Sequence, residues 1–285
     1  MAKIDYFDGR VKTSQVSESL QSNAHFDFVM ISAMKLAIIA ITILLLSSFQ
    51  SHAVVNGTPL TEERILQSIV QIVSKNGEYC TGSVISPKII LTAGHCMDRT
   101  KPVFEPFIVN IFKNSTDTQK MVIGLVGISS LSNDIGKDYG MIFLSDSIQD
   151  KKDALLPFAS NFSEKDDLCV VGQGLDEYNQ FGKMKIRCGL SLVGTVPGNM
   201  AILSDKSDPM AGGAKGDSGG PVLKRNSDGT FEMVGIFTNG GVGLFGSTTN
   251  QGWFVPINSP EVKSWINQSR CSSINMQKFD DSCGQ

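Results

Sequence analysis

Three separated strings of this chain carry side chains suited to nucleophilic chemistry. In Gly216-Asp217-Ser218-Gly219-Gly220-Pro221, glycines on both sides of a serine let the backbone fold tightly. Such a turn exposes the hydroxyl and aims neighbouring N–H groups at one point, where developing negative charge can be held. The string would also make a plain surface turn. At average usage of roughly 5–7% per residue type, however, a six-position match arises by chance on the order of 10⁻⁵ times in a chain of this length. The second string, Leu91-Thr92-Ala93-Gly94-His95-Cys96, ends an apolar run with an imidazole. A lone histidine near a cysteine is more often structural, but Cys80 lies at a spacing that lets it bridge Cys96 and hold the ring still. Closing a loop of about 15 residues in this way is worth about 3 kcal/mol. In the third string, Asp138-Tyr139-Gly140-Met141-Ile142-Phe143-Leu144, one carboxylate stands at the mouth of an apolar run. Asp134, in a polar turn upstream, is the weaker candidate, because an acid that orients an imidazole must be partly buried.

His25, His52 and His95 are the 3 histidines, and the first two precede Ala53 in a segment that does not read as part of a fold. Residues 1–33 look like a non-native upstream extension. Residues 34–53 read as a secretory signal peptide: Met34-Lys35, an apolar run over 36–46 broken by Thr42, then Ser51-His52-Ala53 as a small-residue end. That run falls short of the about 20 residues a membrane span needs. An anchor starting near Phe26 is the alternative, and Lys35 inside it argues against it. A mature chain from Val54 would keep His95 alone, which excludes a multi-histidine metal site. No metal or cofactor is expected. Nor does a formal charge of −3 give an electrostatic reason to expect nucleic acid or an anionic membrane as partner. The 6 cysteines suit an oxidising compartment, and no C-x-x-C pair points to zinc or thiol redox chemistry. The expected location is extracellular.

The elements that must position these groups are short. Apolar runs at 68–73, 83–85, 88–92, 107–112, 121–126 and 141–144 read as strands, and so do 168–171, 184–193, 200–203, 221–223, 231–237 and 252–255. Many short strands with regular turn signals predict an all-β sandwich or barrel. One helix is expected, last in the domain, with Ser259 as cap, Pro260 at its first position and Val262, Trp265 and Ile266 on one face. A tail over 271–285 holds Cys271 and Cys283, which can bond each other.

On these strings the chain resembles the chymotrypsin/trypsin family of serine proteases, over Val54 to about Arg270. The order His95, Asp138, Ser218 is that family's order and differs from subtilisin-like and α/β-hydrolase enzymes. The resemblance implies two packed six-stranded antiparallel β-barrels, over 54–155 and 156–258, and a C-terminal helix over 259–270. It implies Ser218 as nucleophile, His95 as general base, Asp138 as its orienting acid, and the amides of Gly216 and Ser218 as oxyanion hole. Ala53-Val54-Val55-Asn56-Gly57 is similar to the family's mature N-terminus, which implies an ion pair between a freed Val54 amine and Asp217. Ala53 stands where family zymogens carry Arg or Lys, so signal peptidase itself is expected to make that N-terminus.

Departures from the family pattern bear on specificity. The position of trypsin's pocket aspartate falls on Gly212, which leaves no reason to prefer Arg or Lys substrates. Gly240 and Gly252 stand where glycines keep a deep slot open, so a sizeable apolar or aromatic side chain before the cut is expected. Lys215 beside the oxyanion hole is either merely solvated or favours acidic residues nearby. Thr238-Asn239-Gly240 replaces the family's Ser-Trp-Gly, keeping main-chain pairing with substrate but losing a tryptophan wall. Ala214 and Lys224 replace usual cysteines, and Cys169 with Cys188 is expected as a substitute cross-strand pair. Partners are then protein or peptide substrates and protein inhibitors, with the chain a monomer free of the membrane once its leader is removed. Three rivals are an inert homologue that docks proteins without cutting, a membrane-tethered regulator retaining 26–46, and an esterase. The esterase lacks its strand-to-helix context here.

Overall fold

In β4 (Ile89–Thr92) and β7 (Gly140–Leu144) every residue is buried, so neither strand alternates between core and water. Ile90, Ile142 and Leu144 pack with Val70, Ile72, Val84, Val109 and Ile111. Ile89, Leu91, Met141 and Phe143, of opposite parity, pack with Cys169, Val171, Leu223 and Ile236 of the C-terminal half. The unbroken apolar runs of the sequence are therefore strands covered on both faces. One face lines a barrel and the other joins the two halves. Each such side chain contributes about 1.5–3 kcal/mol by burial.

The computed structural model describes residues 54–74, 76–97, 106–112, 118–129, 135–148, 155–174, 183–196, 200–205, 207–208, 211–242 and 250–271. The upstream extension, the leader and Cys283 lie outside them. The described residues belong to one compact unit. No helix among the described residues is long and apolar enough to cross a membrane.

The fold is mostly β. Strands β2 (Ile69–Val73), β3 (Tyr79–Ser86), β5 (Phe107–Phe112) and β6 (Thr118–Ser129) close with β4 and β7 into an antiparallel barrel of order β2-β3-β4-β7-β6-β5. The second sheet contains β8 (Asp167–Gly172), β9 (Lys185–Val196), β10 (Met200–Asp205), β11 (Pro221–Arg225), β12 (Phe231–Val242) and β13 (Asn250–Pro256). These run β9-β10-β13-β12-β11-β8, and β8 pairs back onto β9, so the sheet curls onto itself. Leu168, Val170, Leu203, Val222, Phe237 and Phe254 fill it. The C-terminal helix α2 (Pro260–Arg270) begins as its sequence predicts, with Val262 N donating to Ser259 Oγ at 3.3 Å. Its Trp265 meets Tyr139 edge-on, ring centroids 4.8 Å apart, beside Asp138.

Two elements differ from the sequence reading. Strand β1 (Thr58–Pro59) pairs with β9 at Ile186 and Lys185. Residue 68 ends a short helix, α1 (Glu63–Ser68), instead of opening a strand. Six residues are too few to display a helical period, and burial of Ile65 and Leu66 supplies what propensity does not. Elsewhere the expected strands are present: β5 has the expected bounds, β4 begins one residue later, and most of the others extend further because polar positions continue the ladders beyond the apolar runs.

Candidate active site

His95 follows the buried strand β4 on a single 3-10 turn, Gly94–Cys96. The Cys80–Cys96 disulfide ties that turn to β3. Asp138 precedes β7 and is 2% exposed. Its Oδ1 accepts the His95 backbone N–H at 2.7 Å, and its Oδ2 lies 2.7 Å from His95 Nδ1. An ionised carboxylate only accepts, so this contact places the ring proton on Nδ1 and leaves Nε2 as the basic nitrogen. Gly94 packs closely on the start of β7: a Cβ there would stand 3.1 Å from Tyr139 O and 3.2 Å from Asp138 Oδ1.

The serine turn is held from both barrels. Gly219 has φ +85°, and a Cβ on it would run into the Thr92 hydroxyl and the Thr81 carbonyl. Thr81, on β3, donates its N–H to Ser218 O at 2.8 Å and its Oγ1 to Gly216 O at 2.9 Å. Gly219 N donates to Phe237 O at 2.6 Å on the other side. The amides of Gly216 and Ser218 make no other hydrogen bond among the described residues, which leaves both donors available beside the serine. The Ser218 hydroxyl itself donates to Thr238 O at 3.1 Å and makes no hydrogen bond to His95. His95, Asp138 and Ser218 nonetheless face one cleft of about 470 Å³, with Lys215, Thr238, Asn239 and Gly240 on its walls.

Asp217 is fully buried. Its two oxygens accept Gly174 N and Ala214 N, each at 2.7 Å. Burial pushes its carboxyl up to about 7, against the downward pull of the Ala214 and Gly174 amides and of the Lys185 ammonium. Lys185 is itself wholly buried and pairs in register with Gly172, whose Cβ, were there one, would lie 2.7 Å from Asp217 Cγ. Val54 is buried too, and Val55 pairs with Gly212 on the loop leading to Asp217. With Ala53 preceding it, Val54 N is an amide, and the Asp217 carboxyl is faced by the Gly174 and Ala214 amides and by the charge of Lys185.

Other expected site residues fall differently. The Cys169–Cys188 disulfide forms across β8 and β9, while Cys271–Cys283 lies partly outside the described residues. Gly212 and Gly252 do not line the cleft. The deep slot expected from Gly240 and Gly252 is not open, because the Phe237 ring lies against both glycines. Thr81, Gly174, Lys185 and Phe237 were not legible as site residues. Each matters through a partner distant in sequence or through what its side chain fills, and neither leaves a local pattern.

A closed antiparallel barrel carrying an imidazole–carboxylate pair, packed on a curled sheet carrying a glycine-flanked serine, is the frame of the chymotrypsin fold. The chain belongs to the trypsin family of serine proteases, whose family model, Trypsin, matches residues 54–266. It is also similar to a protein named Lectizyme from Glossina austeni, 27% identical over 222 residues that cover 67% of this chain and 78% of that protein.

Proposed function

We propose that this chain is an exported serine endopeptidase that cuts peptide bonds through Ser218, His95 and Asp138. The observation that carries the reading is the double contact of Asp138 with His95, through the backbone N–H and Nδ1, in the same cleft as Ser218. Ser218 Oγ attacks the scissile carbonyl while His95 Nε2 takes its proton, and the buried Asp138 carboxylate stabilises the imidazolium. The uncommitted amides of Gly216 and Ser218 receive the oxyanion, each worth about 10²–10³ in kcat. His95 then protonates the leaving amine, and water hydrolyses the acyl-enzyme by the same route. Export is supported by the leader-like residues 34–53 and by two disulfides, which persist in oxidising compartments. Cleavage after Ala53 frees the Val54 amine to pair with Asp217. Gly212 supplies no carboxylate, so substrates are not tryptic.

One observation favours the rival reading of an inert, protein-binding homologue: the serine hydroxyl is bonded to Thr238 O. In the endopeptidase reading the hydroxyl leaves Thr238 O and turns to His95, which lines the same cleft. A fluorophosphonate probe separates the two readings. The form beginning at Val54 is expected to be labelled at Ser218 and to cleave casein. Ser218→Ala abolishes labelling, and Asp138→Asn lowers kcat by about 10⁴. A correctly processed chain that is neither labelled nor active removes the endopeptidase reading.

A further inference from the structure

Three glycines from separate parts of the second sheet and its loops converge on one aromatic ring. Phe237, on β12, is wholly buried. A Cβ at Gly213 would fall 2.5 Å from its Cε1, one at Gly240 2.8 Å from its Cζ, and one at Gly252 2.7 Å from its Cε2. All three are closer than real Cβ contacts come, so each glycine is required by the ring itself. Gly240 and Gly252 face each other across β12 and β13, and Gly213 lies on the loop before Ser218. The Phe237 backbone is tied to the serine turn twice, accepting from Gly219 N at 2.6 Å and donating to Gly220 O at 2.8 Å. Behind the ring stand Leu203, Val222 and Phe254 of the barrel core. The open cleft is lined by Gly240 and Trp253, while Gly213, Gly252 and the Phe237 ring are not on its walls.

We propose that Phe237 occupies the space that would otherwise receive the substrate side chain before the scissile bond. It thereby restricts the enzyme to peptides with glycine, alanine or serine at that position. The proposal rests on the endopeptidase reading above and deepens it. A leucine or phenylalanine side chain would have to displace a ring enclosed by three backbones and a close-packed core, which offers no second place for it. A small side chain needs only the mouth of the cleft between Ser218, Thr238 and Gly240.

The test uses the form beginning at Val54 and peptides identical except for Gly, Ala, Ser, Leu or Phe before the cut. Wild type is expected to favour Ala over Phe by about 100-fold or more in kcat/KM, a discrimination of the size pocket shape can supply. Phe237→Val is expected to raise kcat/KM for Phe and Leu by about 10-fold or more. Equal cleavage of Ala and Phe by wild type, or no change in preference in a folded, probe-labelled Phe237→Val, overturns the proposal. Indole binding, followed by NMR titration, reads the slot without turnover. Phe237→Ala, or Phe237→Val if the alanine variant does not fold, should bind indole where wild type does not, as emptied apolar cavities do. An inactive chain whose variant binds indole retains the filled slot and loses the protease reading. A folded variant closed to indole overturns the filled slot whatever the activity.

Discussion

A carboxyl that is fully buried and held up to about 7 is a pH-dependent element in its own right. In a chain still extended before Val54, folded Asp217 keeps its proton up to about pH 7, whereas an unfolded aspartate loses it near 4. The folded state therefore binds more protons between those values, and its stability falls as pH rises from about 4 to about 7. Lys185 moderates that fall by favouring the ionised form. A freed Val54 amine would add a second cation and hold the carboxylate ionised, so the slope is expected to vanish in the processed form. That form should instead lose stability in alkali, as the α-amino group gives up its proton. Urea unfolding of both forms between pH 4 and 9 measures this. Identical slopes would count against an ion pair between Val54 and Asp217.

Among elements, β3 does more than complete a barrel. Thr81 is its point of contact with the serine turn, taking Ser218 O and Gly216 O with one residue's two donors. Its hydroxyl hydrogen bond crosses from one half of the molecule to the other. Thr81→Val keeps the shape but leaves Gly216 O without that donor, at a cost of about 1–3 kcal/mol. Stability should fall by that amount in denaturant unfolding, and kcat should fall with it because the adjoining oxyanion amide loses its support. Thr81→Ser should restore both; a Thr81→Val enzyme with full activity would make the clamp merely structural. Nothing around Thr81 in sequence announces this: the apolar run marks a strand only at 83–85, and the ladder that places Thr81 on β3 extends back to Tyr79.

At the scale of the whole molecule, the N-terminal string is fastened to the second sheet through charge. Arg187 pairs with Asp205 and also donates to Asn56 O at 3.2 Å, and Asn56 Nδ2 donates to Asp208 Oδ2 at 2.9 Å. Burial pushes the Asp205 carboxyl up, but hydrogen bonds from Ser207 Oγ, from Arg187 and from the Asp208 and Ser207 amides outweigh it and hold the pKa at about 2. A lowered carboxylate pKa stabilises the fold above the unfolded value near 4, and that stability is lost as pH falls toward about 2. Asp205→Asn should therefore cost about 2 kcal/mol at pH 6, with the difference from wild type closing by about pH 2 in thermal unfolding. A difference independent of pH would assign the effect to packing.

The chain's own order of residues was enough to determine an all-β sandwich or barrel, the capped last helix and the three groups in the cleft, and the two-barrel frame came with the family resemblance those groups carry. Those features depend on local runs: a glycine-flanked serine, a histidine ending an apolar strand, an aspartate before one. Tertiary structure alone decided what fills the slot behind Ser218, which groups surround Asp217, and which carbonyl holds the serine hydroxyl. Glycines at 213, 240 and 252 read equally as an opening or as room for a neighbour. Only the meeting of β12, β13 and the serine loop around the Phe237 ring chooses between them, because side-chain volume is filled by whichever residue the fold brings nearest.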